Sequence, residues 1–132
     1  MERDFPNMER LLSAVFAAQL GGLEHVGNQT PPDLEAVLPF ARTVRTGGPR
    51  TATMDFPTVE VDVFAVDEAA CSPLASRLAN LLLAKPPPHP SIDLVICDPS
   101  FRELPWGANE NVYRLGATFY IETRMVRVVP LP

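Results

Sequence analysis

Between Phe56 and Ala84 the chain reads FPTVEVDVFAVDEAACSPLASRLANLLLA, and the spacing of its apolar residues changes from two to about 3.6. Val59, Val61, Val63 and Ala65 fall on one side of a strand, with Glu60 and Asp62 on the other. Leu74, Leu78, Leu81 and Leu82 then form one stripe of a helix. A one-sided strand and a one-sided helix each need an apolar partner layer, so a helix-on-sheet arrangement is required. Two starts are open for the helix: a cap at Asp67, or Ser72-Pro73, because proline suits a first helical position. A proline deeper inside costs about 3 kcal/mol or kinks the helix. A ragged first turn followed by regular helix from Pro73 to Ala84 is therefore expected, ended by Pro86-Pro87-Pro88. No group placed for chemistry interrupts either element, which favours a structural or assembly role over catalysis.

The remaining pattern completes the layers. Met8, Leu11, Leu12, Val15, Phe16 and Leu20 recur at helical spacing, with Asn7 as N-cap and Gly21-Gly22 as stop. A short strand is expected from Leu23 to Gln29, then a turn at Asp33-Leu34-Glu35. Leu38 to Thr46 alternates as a strand, Gly47 to Phe56 reads as a flexible loop, and Thr58 to Val66 is the next strand. If that loop joins an antiparallel pair, Arg42 or Arg45 faces Glu60 or Asp62 across the ladder. Ser91 to Asp98 is rich in β-branched residues, Pro99 to Asn111 reads as loop, and a long strand runs from Val112 to Val128. In it Ala117, Phe119, Ile121 and Thr123 share one face, and Gly116 marks a bulge or bend. The order predicts a single α+β domain over residues 1–132, a small antiparallel sheet with two α-helices packed on one face.

Composition narrows the function classes. A chain of 132 residues buries roughly two-thirds of its unfolded surface, enough for one core. With 46% hydrophobic and 20% charged residues it is globular. A net charge of −5 makes it a poor candidate for wrapping DNA or docking on anionic lipid, although acidic walls suit a channel through which DNA slides. The 15 prolines cluster at Pro31-Pro32, Pro86 to Pro90 and Pro130/Pro132, where they punctuate loops and termini. MERDFPNMER holds no apolar signal core, and no run approaches about 18 apolar residues, so a soluble, unexported protein is expected.

Candidate chemistry is sparse. Cys71 and Cys97 read as two buried thiols in a reducing compartment, and they lack paired spacing with His25 and His89 for a zinc site. Neither a catalytic set, a cofactor nor a metal is expected. Glu60 and Asp62 share a strand face and read as a solvated or interface pair; the competing enzyme reading places one of them with a histidine in a cleft. Two features ask for a partner. Arg42, Arg45 and Arg50 form a basic region in an acidic chain, suited to an acidic neighbour such as the Glu60/Asp62 face of another subunit. Trp106, in FRELPW, suits an interface anchor or folds back onto its own core.

The order of elements resembles the tail terminator (tail completion) proteins of long, non-contractile-tailed bacteriophages, particularly those of actinobacterial phages. The likeness rests on MERLLSAVFAAQL with its Gly-rich exit, LPFARTVRTGG, the acidic strand VEVDVFAVD, SRLANLLLA and the closing GATFYIETRMV, together nearly the whole chain. The Pro-rich exit of the second helix departs from the family pattern. The resemblance implies an α+β subunit of a homo-oligomeric ring, usually a hexamer, in the virion at the head–tail junction. Its partners would be the major tail-tube protein, whose polymerisation it stops, and the head–tail connector, with DNA passing unbound through the lumen. Another head-completion or adaptor protein is the near alternative.

Overall fold

A computed structural model describes residues 3–97, 100–107 and 111–127, with residues 3, 126 and 127 described by backbone alone. In chain order the elements are β1 (Arg3–Asp4), α1 (Met8–Leu20), a 3-10 turn at Leu23–His25, β2 (Val26–Gly27), and a second 3-10 turn at Leu34–Val37. They continue with β3 (Phe40–Gly47), β4 (Met54–Asp55), β5 (Thr58–Ala65), α2 (Glu68–Leu83), β6 (Ile92–Cys97), β7 (Arg102–Glu103), β8 (Tyr113–Arg124) and β9 (Val126–Arg127). The expected strand ends at Asp98 and Val128, the loop start at Pro99, and the Pro130/Pro132 terminus lie outside the described residues.

Strands β3, β5 and β8 form the antiparallel centre of the sheet. β2 adds a short parallel strand outside β3. β4 continues the line of β5 along one edge of β8, and β6 and β7 lie along its other edge. β1 and β9 make a separate two-stranded ribbon. The hairpin register places Arg42 opposite Asp62 and Val44 opposite Glu60, one of the expected cross-strand pairings.

Both helices cover the same sheet face, as the sequence pattern requires. From α1, Met8, Leu12, Phe16 and Leu20 meet the buried face of Ala41, Val59, Val61 and Val63. From α2, Cys71, Leu74, Ala75, Leu78 and Leu82 pack over Ala65, Leu115, Ala117, Phe119 and Ile121. Each large apolar side chain withdrawn from water contributes about 1.5–3 kcal/mol before entropy is counted. The helix ends follow local chemistry. The Asn7 side chain accepts from the Arg10 amide, and Gly21, at φ 95°, closes α1 with its amide on the Ala17 carbonyl.

Four details differ from the sequence reading. The expected strand at Leu23–Gln29 shrinks to a 3-10 turn and two residues, because only Val26 and Gly27 reach β3. α2 starts at Asp67, whose carboxylate accepts from the Ala70 amide, and the helix runs through Pro73 without a ragged first turn. Pro73 sits on the exposed side of the helix, so only one hydrogen bond, toward the Ala69 carbonyl, is forfeited. The 47–56 loop contains β4, and Asp55 within it is buried. Gly116 keeps continuous register with Asp62; the irregularities fall instead at Arg45/Gly47 and at Ile92/Leu94.

Candidate functional site

The sheet face turned away from the helices carries the charged residues, and its register gives their layout. At one end Phe40, Phe64 and Arg114 lie side by side; next come Arg42, Asp62 and Gly116, then Val44, Glu60 and Thr118. Beyond these lie Thr58, Tyr120 and Ile96, and last Glu122 and Leu94. The first end is roofed by a second small core of Leu34, Phe40, Phe64 and Val112, with Trp106 against it. The last end is bare: Leu94 is 40% exposed, Ile96 49% and Tyr120 46%.

Between the two ends sits a closed charge cluster. Asp62 is only 2% exposed. Arg42 donates to its Oδ2 from Nη2 at 2.7 Å and from Nε at 3.1 Å. Arg114 donates to its Oδ1 from Nε at 3.0 Å, with Nη2 at 2.9 Å. Two fork-like contacts saturate both oxygens, the arrangement that offsets the desolvation of a buried carboxylate. Both guanidiniums also lie 5.6–5.8 Å from the rings of Phe64 and Trp106, and those two rings meet edge-on at 4.9 Å. Gly116 makes room for this: a Cβ there would lie 2.5 Å from Leu104 Cδ1 and 2.7 Å from Asp62 Oδ1.

A second cluster fastens the 47–56 loop. Arg45 grips the buried Asp55 with two bonds of 2.7 and 2.8 Å, and Arg50 adds one of 3.0 Å. The Arg50 guanidinium lies 4.5 Å above the Phe5 ring. Burial alone would push the Asp55 carboxyl up, but the hydrogen bonds and charges of Arg45 and Arg50 outweigh it and hold the pKa at about 2. The Arg45 backbone amide donates to the Glu9 carboxylate of α1 at 3.0 Å.

Each residue singled out in the sequence now has a place. The basic region and the acidic strand are not two separate faces, since Arg42 is paired with Asp62 and both Arg45 and Arg50 with Asp55. A solvated or interface pair was expected, but Asp62 is buried and bonded within its own chain, and only Glu60 is exposed. Trp106 folds back onto its own chain, half-buried against Phe64. The pattern did not point to Arg114, Asp55 or the fit at Gly116. Arg114 carried a usable signal, because it lies on the Thr118/Tyr120 face of β8.

Glu60, Asp62, Arg102, Leu104, Arg114 and Gly116 line a cleft of about 60 Å³. That holds a few water molecules and is far below the roughly 300 Å³ at which small-molecule pockets begin. The histidines work elsewhere. His25 Nδ1 meets the Val37 and Pro39 carbonyls at 2.8 and 2.9 Å, so it carries the proton, and His89 Nδ1 meets Ser91 Oγ at 2.6 Å. Both cysteines are thiols; burial pushes Cys71 up to about 11 and its Sγ donates to the Val63 carbonyl, so it packs as an inert core side chain. Among the described residues no group of three or more His, Cys, Asp or Glu is placed to hold a metal ion. No helix among them is long and apolar enough to cross a membrane. No protein-family model matches the chain, and no curated protein matches it.

Proposed function

We propose that this protein is a structural subunit of a phage virion, a tail terminator. It forms a ring on the head-proximal end of the tail tube, stops tube polymerisation and docks to the head–tail connector. It assembles in the host cytoplasm and remains in the virion. The observation that carries this reading is the bare end of the helix-free face, where Leu94, Ile96 and Tyr120 stand exposed side by side. Exposed apolar side chains gathered in this way suit contact with another protein. The same face ties its buried carboxylate, Asp62, to Arg42 and Arg114 of the neighbouring strands, which cross-links the sheet behind that surface. The elements on which the family resemblance rests also follow one another in a single packed unit. A closed ring needs complementary surfaces related by rotation, and a net charge of −5 suits a lumen crossed by DNA.

The test is to add the purified protein to tail-tube subunits during polymerisation and to image the products by electron microscopy. Tubes shortened in proportion to added protein, each with density at one end, are expected, with a ring mass in native mass spectrometry. Tubes of unchanged length with bare ends, and a chain monomeric at every concentration, would overturn the proposal.

A further inference from the structure

The two long edges of the sheet are finished differently. The β3 edge is plugged: β2 pairs with Ala41 and Arg42, and the Glu9 carboxylate takes the Arg45 amide. The other edge is β6, which among the described residues pairs only with β8. Edge strands are normally protected by lysine, proline, an inward charge or a covering element. From Leu94 to Cys97 the strand reads LVIC, with none of these residues. Leu94 and Ile96 are exposed on one side, and a groove shared with Leu83 at the end of α2 flanks Leu94 and Val95 on the other. The one charge at this end of the strand, Asp93, is neutralised by Arg124 at 3.0 Å.

We propose that β6 pairs with β6 of a second copy of this chain, antiparallel about a two-fold axis at Val95, joining two sheets into one. Three observations select a second copy. The plugged β3 edge offers no receiver for a head-to-tail continuation of the sheet. The sequence is self-complementary: with Val95 opposite Val95, Leu94 faces Ile96 of the other copy and Ile96 faces its Leu94. Opposite residues of an antiparallel pair point to the same side, so both apolar pairs fall on the helix-free face beside Tyr120. Asp93 then lies opposite Cys97 and no like charges meet. The inference stands on this edge alone and does not rest on the tail-terminator reading. A six-residue edge offers less contact than a standard interface of about 800 Å² per partner, so a weak dimer that forms at high protein concentration is expected.

Sedimentation velocity over a concentration series tests this, with circular dichroism to verify folding. Ile96→Lys and Leu94→Lys, both at exposed positions, are each expected to weaken the dimer by about two- to thirtyfold, since each change enters twice per dimer. The doubly substituted Leu94→Glu/Ile96→Lys chain places opposite charges face to face across the proposed register and is expected to recover most of the loss. Concentration-dependent slowing of deuterium exchange in residues 92–97 is expected in the unsubstituted chain. A monomer at all concentrations overturns the inference, as does a dimer indifferent to both lysines or one the double substitution leaves as weak as the single ones. Tail tubes left at unchanged length by a protein that still dimerises through β6 would overturn the tail-terminator proposal and leave this inference standing.

Discussion

Asp62 and Asp55 are both buried in the sheet and each is held by two arginines, yet they fasten different parts of the molecule. The partners of Asp62 come from the strands on either side, 20 and 52 residues away in sequence, and lie over Phe64 and Trp106. The partners of Asp55 lie only 10 and 5 residues away, within one hairpin. The first cluster locks three strands across the middle of the sheet, while the second closes one loop and ties it to α1 through Glu9. The same chemistry is therefore a sheet clamp in one place and a loop clasp in the other. Loss of the clamp should be felt by the whole domain and loss of the clasp chiefly by the hairpin.

The largest effect is expected at the clamp. Asp62→Ala leaves two largely buried guanidiniums without their carboxylate, and breaking such a group from one side costs about 3–5 kcal/mol. Urea unfolding should show that loss as a fall in midpoint with little change in slope. A loss below 1 kcal/mol would mean that the aromatic rings and solvent carry the arginines unaided, and the distinction from Asp55 would collapse.

The clasp is expected to show itself through pH. The Asp55 pKa lies below its ordinary 3.8, at about 2. A carboxylate with a depressed folded-state pKa adds stability that is fully present above the unfolded value and is lost as pH falls through the folded one. The window is therefore roughly pH 4 down to 2, and a shift of this size contributes about 2 kcal/mol. Asp55→Asn should be less stable than the parent by about that amount at pH 6, and the two chains should converge near pH 2. Parallel curves across that range would show that Arg45 and Arg50 do not perturb the group.

The clamp also depends on an empty space. Gly116→Ala adds a methyl group that meets Leu104, a movable side-chain end, and Asp62 Oδ1, which two arginines fix in place. Overpacking of this kind costs about 1–3 kcal/mol. Combining it with Leu104→Ala should relieve only part of the loss, because the clash with the carboxylate remains. Full relief would place the tight contact at Leu104 alone.

The difference between the clusters also explains what was legible beforehand. A period of two fixes which side of a strand a residue faces, so the sequence alone put Val59, Val61 and Val63 on one side and set Arg42 or Arg45 against Glu60 or Asp62, of which the register selects Arg42 and Asp62. The same period could not reveal burial, because the roof over the Phe64 end comes from Trp106 and a 3-10 turn at Leu34–Val37. A strand face that looks solvated is then covered by distant segments with no periodicity. Asp55 was illegible for a related reason. It lies between Gly47 and Pro57, where loop composition suggested flexibility, and its order comes from side-chain bonds that carry no spacing rule. The bare edge at β6 was masked by its own virtue as a strand: LVIC looks like ordinary buried β-sequence until its neighbours are placed.

The smallest effect separates the two arms of the clasp. Arg45 makes two short bonds to Asp55 and also donates to the Gly47 and Gly48 carbonyls, whereas Arg50 makes one bond and has a half-exposed side chain. A one-pronged ion pair of an exposed side chain contributes about 0.2–1 kcal/mol, and about 1 M salt shrinks the Debye length to roughly 3 Å. Arg50→Ala should therefore lower stability by less than 1 kcal/mol, with the effect fading at high salt. Arg45→Ala should cost more, and its effect should persist, because its bonds are two-pronged and its own side chain is less exposed than that of Arg50. Equal losses from the two substitutions, both erased by salt, would mean that charge count rather than bond geometry holds the loop. Asp55 would then be only a local acid among bases, and the likeness to the Asp62 clamp would be confined to composition.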